Sequence, residues 1–166
     1  MDSFSVRPLA STDTEALLAF EVENRGWFEL HIDGRDPGFY SLQGVAEHIE
    51  EYLSWWAKGA WHPFVIEDSN HRIVGRANLK SIDATKALAE VGYRIAQSAC
   101  GQGLATQALS HLIREAQVHW KLKQLVAYVY EENVGSRKVL ERCGFLFEQS
   151  SDGQQMDDGR RFMLSI

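Results

Sequence analysis

Gly101-Gln102-Gly103 lies between two segments of different periodicity, and this junction is the part of the chain best suited to hold an anion. Before it, Ala89, Val91, Tyr93 and Ile95 fall on alternate positions, the apolar face of a strand, while Glu90, Gly92 and Arg94 share the other face. After it, Ala105, Ala108, Leu109, Leu112, Ile113 and Ala116 follow helical spacing. The first turn of such a helix leaves N–H groups unpaired. Together with the positive end of the helix dipole, they favour a phosphate or pyrophosphate at the glycine turn. A glycine pair in this place also serves as an ordinary turn with positive φ. The chain contains no G-x-x-x-x-G-K-[ST], and Thr106 replaces the third glycine of a dinucleotide G-x-G-x-x-G, so those two phosphate loops are excluded.

A carboxylate stands close to this junction. Glu90, on the polar face of the same strand, is placed to take a proton from a reacting group; its plain alternative is a solvated strand carboxylate. Further on, Leu125 to Tyr130 forms an apolar run suited to a strand buried on both faces. The segment from Glu131 to Phe145 then reads as a short helix, with Gly144 fitting the position after its end. Asn133 suits an N-cap at its start, and the Ser136 hydroxyl can rotate either to a reacting atom or to backbone.

Taken together, these two constellations resemble the GNAT superfamily of acetyl-coenzyme A dependent N-acetyltransferases. Gly101-Gln102-Gly103-Leu104-Ala105 resembles that family's R/Q-G-x-G-x-A pyrophosphate loop, and Asn133 to Phe145 resembles its N-x-x-S-x-x-x-[YL]-x-x-x-G-F segment. Trp27-Phe28-Glu29, Phe64-Val65-Ile66-Glu67 followed by Ile73-Val74-Gly75, and Ala89 to Tyr93 are similar to the RimJ/RimL branch, known for acetylating N-terminal amines of ribosomal proteins. The chain departs from the pattern at Cys100, where Arg or Gln is usual, and at Leu140, where many GNAT enzymes carry a tyrosine acid.

The resemblance implies acetyl-CoA as cosubstrate, held by Tyr93, Arg94, Ile95, Gly101, Gln102, Gly103, Leu104, Ala105, Thr106, Asn133 and Ser136. It implies Glu90 as base, with Glu29 second, a backbone N–H after Tyr93 as oxyanion donor, and Ser136 as donor to the departing thiolate. Trp27, Phe28 and Glu29 would shape the acceptor site. The favoured acceptor is a protein or peptide N-terminus. A small amine such as a polyamine, amino acid or aminoglycoside, and a non-catalytic acyl-CoA sensor, are the alternatives.

The rest of the chain must position these residues. Its 166 residues, 45% hydrophobic, suit one domain over 1–166, acting as a monomer or homodimer. Phe4 to Leu9 reads as a strand, and Thr12-Asp13-Thr14-Glu15 as a capping box opening a helix through about Glu23. Gly26 to Gly44 reads as a long loop. Val45, Ile49, Tyr52, Leu53 and Trp56 give a second helix ending near Lys58-Gly59, and Trp61–Glu67 with Arg72–Lys80 a hairpin. Adding the strands at Glu90, Leu125, Phe145 and Phe162 predicts an α/β fold with a mixed, partly antiparallel sheet flanked by about four helices.

The net charge of −6 argues against nucleic acid and fits either plain solubility or a cationic amine partner. Cys100 and Cys143 lack C-x-x-C spacing and the six histidines show no ligand pattern, so the reading is reduced thiols, no metal and a cytoplasmic protein. No apolar run is long enough to span a bilayer, and the start lacks a signal-peptide core.

Overall fold

The computed structural model describes residues 3–30, 34–130, 133–148 and 159–166. The elements run β1 (Ser5–Pro8), α1 (Thr14–Glu23), α2 (Arg25–Glu29), α3 (Leu42–Ala57), β2 (His62–Glu67), β3 (Ile73–Asp83), β4 (Leu88–Ile95), α4 (Leu104–Val118), β5 (Gln124–Tyr130), α5 (Val134–Arg142), β6 (Leu146–Phe147) and β7 (Gly159–Ser165). The strands form one seven-stranded sheet in the order β1-β2-β3-β4-β5-β7-β6. Every neighbouring pair is antiparallel except β4 with β5.

Cross-strand register decides which helix covers which face. Arg76 is paired with Arg94, and both side chains reach Glu21 on α1. Their sequence neighbours Ala77 and Tyr93, also paired, point the opposite way, as does Phe64 opposite Ala77; the Phe64 ring meets His111 of α4 at 4.6 Å. So α1 lies against one face and α4 against the other. Leu104, Ala108, Leu109, Leu112 and Ala116 form the buried stripe of α4. Each buried leucine there contributes roughly 1.5–3 kcal/mol, so the helix that follows the glycine turn is firmly seated.

On the α1 face the deepest polar group is Glu21, with no exposed surface. Its Oε1 accepts from Arg76 Nη1 at 2.9 Å and Arg35 Nη2 at 3.3 Å, and its Oε2 from Arg94 Nη1 at 3.2 Å. Arg76 Nη2 donates to His48 Nε2 at 2.9 Å, which ties α3 into the same cluster. Burial and the three arginines push the His48 pKa down to about 2, so its ring is neutral and free to accept. Burial opposes the Glu21 charge, yet Arg76, Arg35 and Arg94 hold its pKa below the usual carboxylate value.

Several sequence expectations are revised. The Thr12 capping box does not form: Ser11–Asp13 is a 3₁₀ turn, and the Asp13 carboxylate accepts from Ala10 N at 2.7 Å and from both Arg7 Nη groups. The charged pair with Arg7 outcompetes local capping, because it joins β1 to the helix start. Gly26–Gly44 is not a plain loop, since Trp27, Phe28 and Glu29 lie on α2 and Pro37–Phe39 makes a 3₁₀ turn. His31 and Asp33 of that stretch, and Glu131 and Glu132 before α5, lie outside the described residues. In β5 the outer face is not fully covered, with Tyr128 42% exposed. Among the described residues, no helix is long and apolar enough to cross a membrane and no group of His, Cys, Asp or Glu could hold a metal.

Replacing Glu21 by Gln leaves three guanidinium groups without their shared carboxylate. Removing one partner of a buried ion pair costs about 3–5 kcal/mol, so Glu21→Gln is expected to destabilise the fold by that order at neutral pH. Because the folded pKa of Glu21 lies below its unfolded value, its stabilisation is complete above about 4.5 and fades as pH falls through the folded pKa. Urea unfolding of both proteins from pH 7 downward should show the gap narrowing; a gap that is absent at pH 7 or constant into acid contradicts this role.

Candidate active site

β4 and β5 pair in parallel at only three positions, Leu88 with Gln124, Ala89 with Leu125 and Glu90 with Val126. Beyond them β4 stays paired with β3 as far as Ile95, and β5 stays paired with β7 as far as Tyr130. Each strand is held by its outer neighbour, and the two halves of the sheet part. A cleft of about 910 Å³ opens there, lined by Val91 to Ile95 on one side and Ala127 to Val129 on the other.

The parting leaves main-chain groups of β4 without a strand partner. Ala96 N–H bonds Val74 on β3, whereas the Ile95 carbonyl turns away and accepts from Trp27 Nε1 at 3.3 Å. Because successive residues of a strand point their main-chain groups to opposite edges, Ile95 and Tyr93 both face the open side. Their N–H groups are the hydrogen-bond donors that a carbonyl or amide entering the gap would meet.

At the far end of β4 the chain turns through Gly101 and Gly103, with φ of 81° and 74°, and α4 begins at Leu104. Gly103 is the residue before the helix, and only glycine adopts this left-handed conformation without strain. Gly101, Gly103, Leu104, Ala105 and Thr106 line the cleft, so the unpaired N–H groups of the first turn face it. Gln102 does not line it: its side chain is exposed and turns back toward the Ser98 carbonyl at 3.5 Å.

Two hydroxyls meet across the α4 face. Tyr93 Oη lies 2.8 Å from Ser136 Oγ, joining β4 to α5. Burial raises the Tyr93 pKa against the lowering effect of Ser136, so the phenol stays protonated at neutral pH. Asn133 caps α5, its Oδ1 accepting from Ser136 N at 3.2 Å. Leu140, where the resemblance would place a tyrosine, is fully buried but also borders the cleft. Cys100 borders it too, with its thiol pKa raised by burial.

The other face of β4 presents Glu90, Gly92 and Arg94. Glu90 is paired with Lys80 across the β3–β4 ladder, and both line the cleft. Lys80 lies over Gly92, where an added Cβ would sit 2.6 Å from its Cε; the glycine is what lets the lysine cross the strand. Burial pulls the Lys80 ammonium below its usual pKa, and Glu90 opposes that shift. Trp27 and Phe28 close this end, Phe28 with the Arg94 guanidinium 5.0 Å from its ring centre.

The structure therefore gathers Glu90, Tyr93, Arg94, Ile95, Gly101, Gly103, Leu104, Ala105, Thr106, Asn133, Ser136, Trp27 and Phe28 around one cleft. Glu29 is not among them. It is exposed on α2 and bonded by Arg25 at 3.1 Å, because the turn of helix that points Phe28 inward points Glu29 out. Arg94, which the resemblance implies as a cofactor contact, lines the cleft on the Glu90 face, as its parity on the strand requires, and is bonded there to Glu21. Sequence reasoning missed Lys80, Asn78 and Arg142 in the lining. It missed Tyr93 as a hydroxyl donor as well, although the alternation of the strand sets Tyr93 and Glu90 on opposite faces.

The sequence matches the acetyltransferase (GNAT) domain over residues 4–146. It is 32% identical over 142 residues to the Probable N-acetyltransferase YjcK of Bacillus subtilis strain 168, covering 84% of this chain and 78% of that protein. It is 24% identical over 148 residues to the Ribosomal-protein-serine acetyltransferase of Escherichia coli strain K12, covering 89% and 81%. Among solved structures, the ribosomal-protein-S5-alanine acetyltransferase of Vibrio fischeri shares the fold with a TM-score of 0.88 at 21% identity, over 98% of this chain and 92% of that one. RimL, the ribosomal L7/L12 alpha-N-protein acetyltransferase, solved in complex with coenzyme A, does so with a TM-score of 0.86 at 19% identity, over 99% and 94%. The chain belongs to the acetyltransferase (GNAT) domain family.

Proposed function

We propose that this protein transfers the acetyl group of acetyl-CoA to a primary amine at the N-terminus of a protein or peptide. The observation that carries the reading is the parting of β4 from β5, which puts Glu90 and the Tyr93–Ser136 pair on opposite faces of one opening. The names of the ribosomal-protein acetyltransferases similar to this chain support the choice of acceptor.

The cleft suits acetyl-CoA on three counts. The turn before α4 offers a pyrophosphate unpaired backbone N–H groups, and an added Cβ at Gly101 or Gly103 would meet nothing within 4 Å, so the approach to that backbone is clear. The open edge at Tyr93 and Ile95 offers donors and acceptors to the amides of a pantetheine arm. Asn133 is committed to its cap through Oδ1, which leaves its amide N–H groups for the same arm.

The chemistry is acyl transfer. Glu90, directly or through a water, takes a proton from the acceptor ammonium, and the free amine attacks the thioester carbon. As the C–N bond forms, the carbonyl oxygen gains charge and is met by an open-edge N–H of Tyr93 or Ile95. The C–S bond then breaks and the thiolate takes a proton from the Tyr93–Ser136 pair, whose phenol burial keeps protonated; the second proton, shed by the attacking nitrogen as it becomes the amide, passes through solvent to restore that pair, and Glu90 returns its own to water. A peptide α-amine has a reference pKa of about 7.7–8.0 against about 10.4 for lysine, so a carboxylate base is better matched to the former.

Two outcomes are expected. Coenzyme A at about 100 times its Kd should stabilise the protein by about 2.7 kcal/mol, and Gly103→Val, with a β-branched residue forced to positive φ at the anion site, should abolish that gain. Equal thermal shifts in a folded variant and the parent contradict the cofactor site. In a thiol-release assay with N-terminal peptides near pH 7.5, Glu90→Gln should lower kcat by roughly 10²–10⁴-fold with the acetyl-CoA KM little changed. A near-normal rate removes Glu90 from proton transfer.

A further inference from the structure

We infer that the preferred acceptor is a peptide with an aspartate or glutamate as its second or third residue, and that Arg94, backed by Arg35, recognises this side-chain carboxylate. The inference rests on the N-terminal acetyltransferase reading and names the substrate class of that same site.

The first observation is a charge surplus. Among the described residues, Glu90 is the one carboxylate lining the cleft, whereas Lys80 and Arg94 line it on the same face. Behind Arg94, Glu21 is shared by three guanidinium groups, and the adjoining His48 is neutral. Among the described residues, four cations, Lys80, Arg35, Arg76 and Arg94, thus stand against two carboxylates, Glu21 and Glu90. Glu29, on the neighbouring helix, is held by Arg25. A bare amine in this setting would bring one more positive charge to a face already in excess.

The second observation is that the surplus has hydrogen-bonding capacity left. Arg94 spends one N–H on Glu21 Oε2, and its remaining guanidinium groups make no bond among the described residues. Its side chain is 23% exposed, at the cleft wall, with its guanidinium held over the Phe28 ring. Among the described residues Arg35 Nε is buried without a partner, while its Nη2 holds Glu21. Burial lowers the Arg94 pKa to about 10, with Arg35 and Arg76 adding to that effect and Glu21 opposing it. An incoming carboxylate relieves this repulsion, and a guanidinium fork is the group best shaped to receive it.

The third observation sets the distance. Glu90 and Arg94 are four residues apart on one strand face, roughly 13 Å between Cα atoms. The α-carboxylate of a free amino acid, two bonds from its own amine, does not span that interval. A side-chain carboxylate one or two residues along an extended peptide does, and Lys80 lies over Gly92 on the path between the two ends.

The test is kcat/KM for three peptides identical except at the second residue, which is glutamate, glutamine or lysine. A fourth, displaced peptide keeps glutamine second and carries its glutamate well down the chain, beyond the reach of the cleft. Free glutamate, a polyamine and an aminoglycoside are run beside them. The glutamate peptide is expected to exceed the glutamine peptide by roughly tenfold or more, with the lysine peptide slowest and the displaced peptide no better than the glutamine one, since a charge-assisted bond requires contact. In Arg94→Gln the ratio of glutamate to glutamine peptide should fall to near one. Arg35→Gln, a milder change at the edge of the cluster, should lower the same ratio and stands in if Arg94→Gln does not fold. A glutamine or lysine peptide equal to the glutamate peptide in the parent, or a ratio unchanged in both folded variants, overturns the inference while robust peptide turnover leaves the function standing. Turnover of the polyamine or aminoglycoside with none of any peptide overturns both.

Discussion

Everything distinctive about this site follows from one constraint: β4 and β5 are each bound more extensively to an outer neighbour than to each other. Their parallel ladder ends after Glu90 and Val126, while β4 continues along β3 and β5 along β7. A complete sheet is a wall between its two faces. Where these halves part, groups on opposite faces of one strand can act on the same reacting atoms. Glu90 belongs to the face covered by α1, Tyr93 to the face covered by α4 and α5, and the opening lies beside both. The opening also leaves main-chain donors on β4 that would otherwise be used up in a ladder. In the proposed reaction the base, the oxyanion donor and the thiol-side acid are three consequences of the same break.

The charge layout repeats that division locally. The chain as a whole is acidic, with a net charge of −6, yet among the described residues the α1 side of the cleft carries more guanidinium and ammonium groups than carboxylates. Long-range attraction and local recognition therefore have opposite signs. A cationic N-terminus would be drawn to the molecule in general, while the wall it finally meets favours an anion. Glu21 makes this arrangement stable. Without a buried carboxylate to share, three arginines could not be packed between α1, α3 and the sheet.

The glycine turn, the strand before it and the helix after it are legible in the sequence because each is a local pattern: alternation at Ala89 to Ile95, left-handed glycines at 101 and 103, and helical spacing from Ala105. The short helix at Trp27 is not, because five residues hold too little periodicity to be distinguished from a loop; nothing local therefore reveals that Glu29 is turned outward while Phe28 points in. The Glu21 cluster is hidden for a different reason. Its members come from α1, the following loop, β3 and β4, and only cross-strand register and packing bring them together. One signal is present. Glu21 stands four residues after Leu17 on the buried stripe of α1, and a charge at a core position of a helix demands a partner. The reach of Tyr93 to Ser136 likewise depends on where α5 docks, which no local pattern states.

In the proposed reaction the acyl donor enters the gap between β4 and β5 and bonds its open edge. Residue-resolved amide exchange, followed by NMR with and without coenzyme A, reads that edge. The Tyr93 and Ile95 amides should exchange quickly in the free protein, where β5 has parted from them, and become strongly protected with ligand, together with amides in the first turn of α4. Arg94, whose N–H faces β3, should be protected in both states. Protection of Tyr93 and Ile95 already complete without ligand, or a ligand response confined to other elements, would rule out entry by this gap.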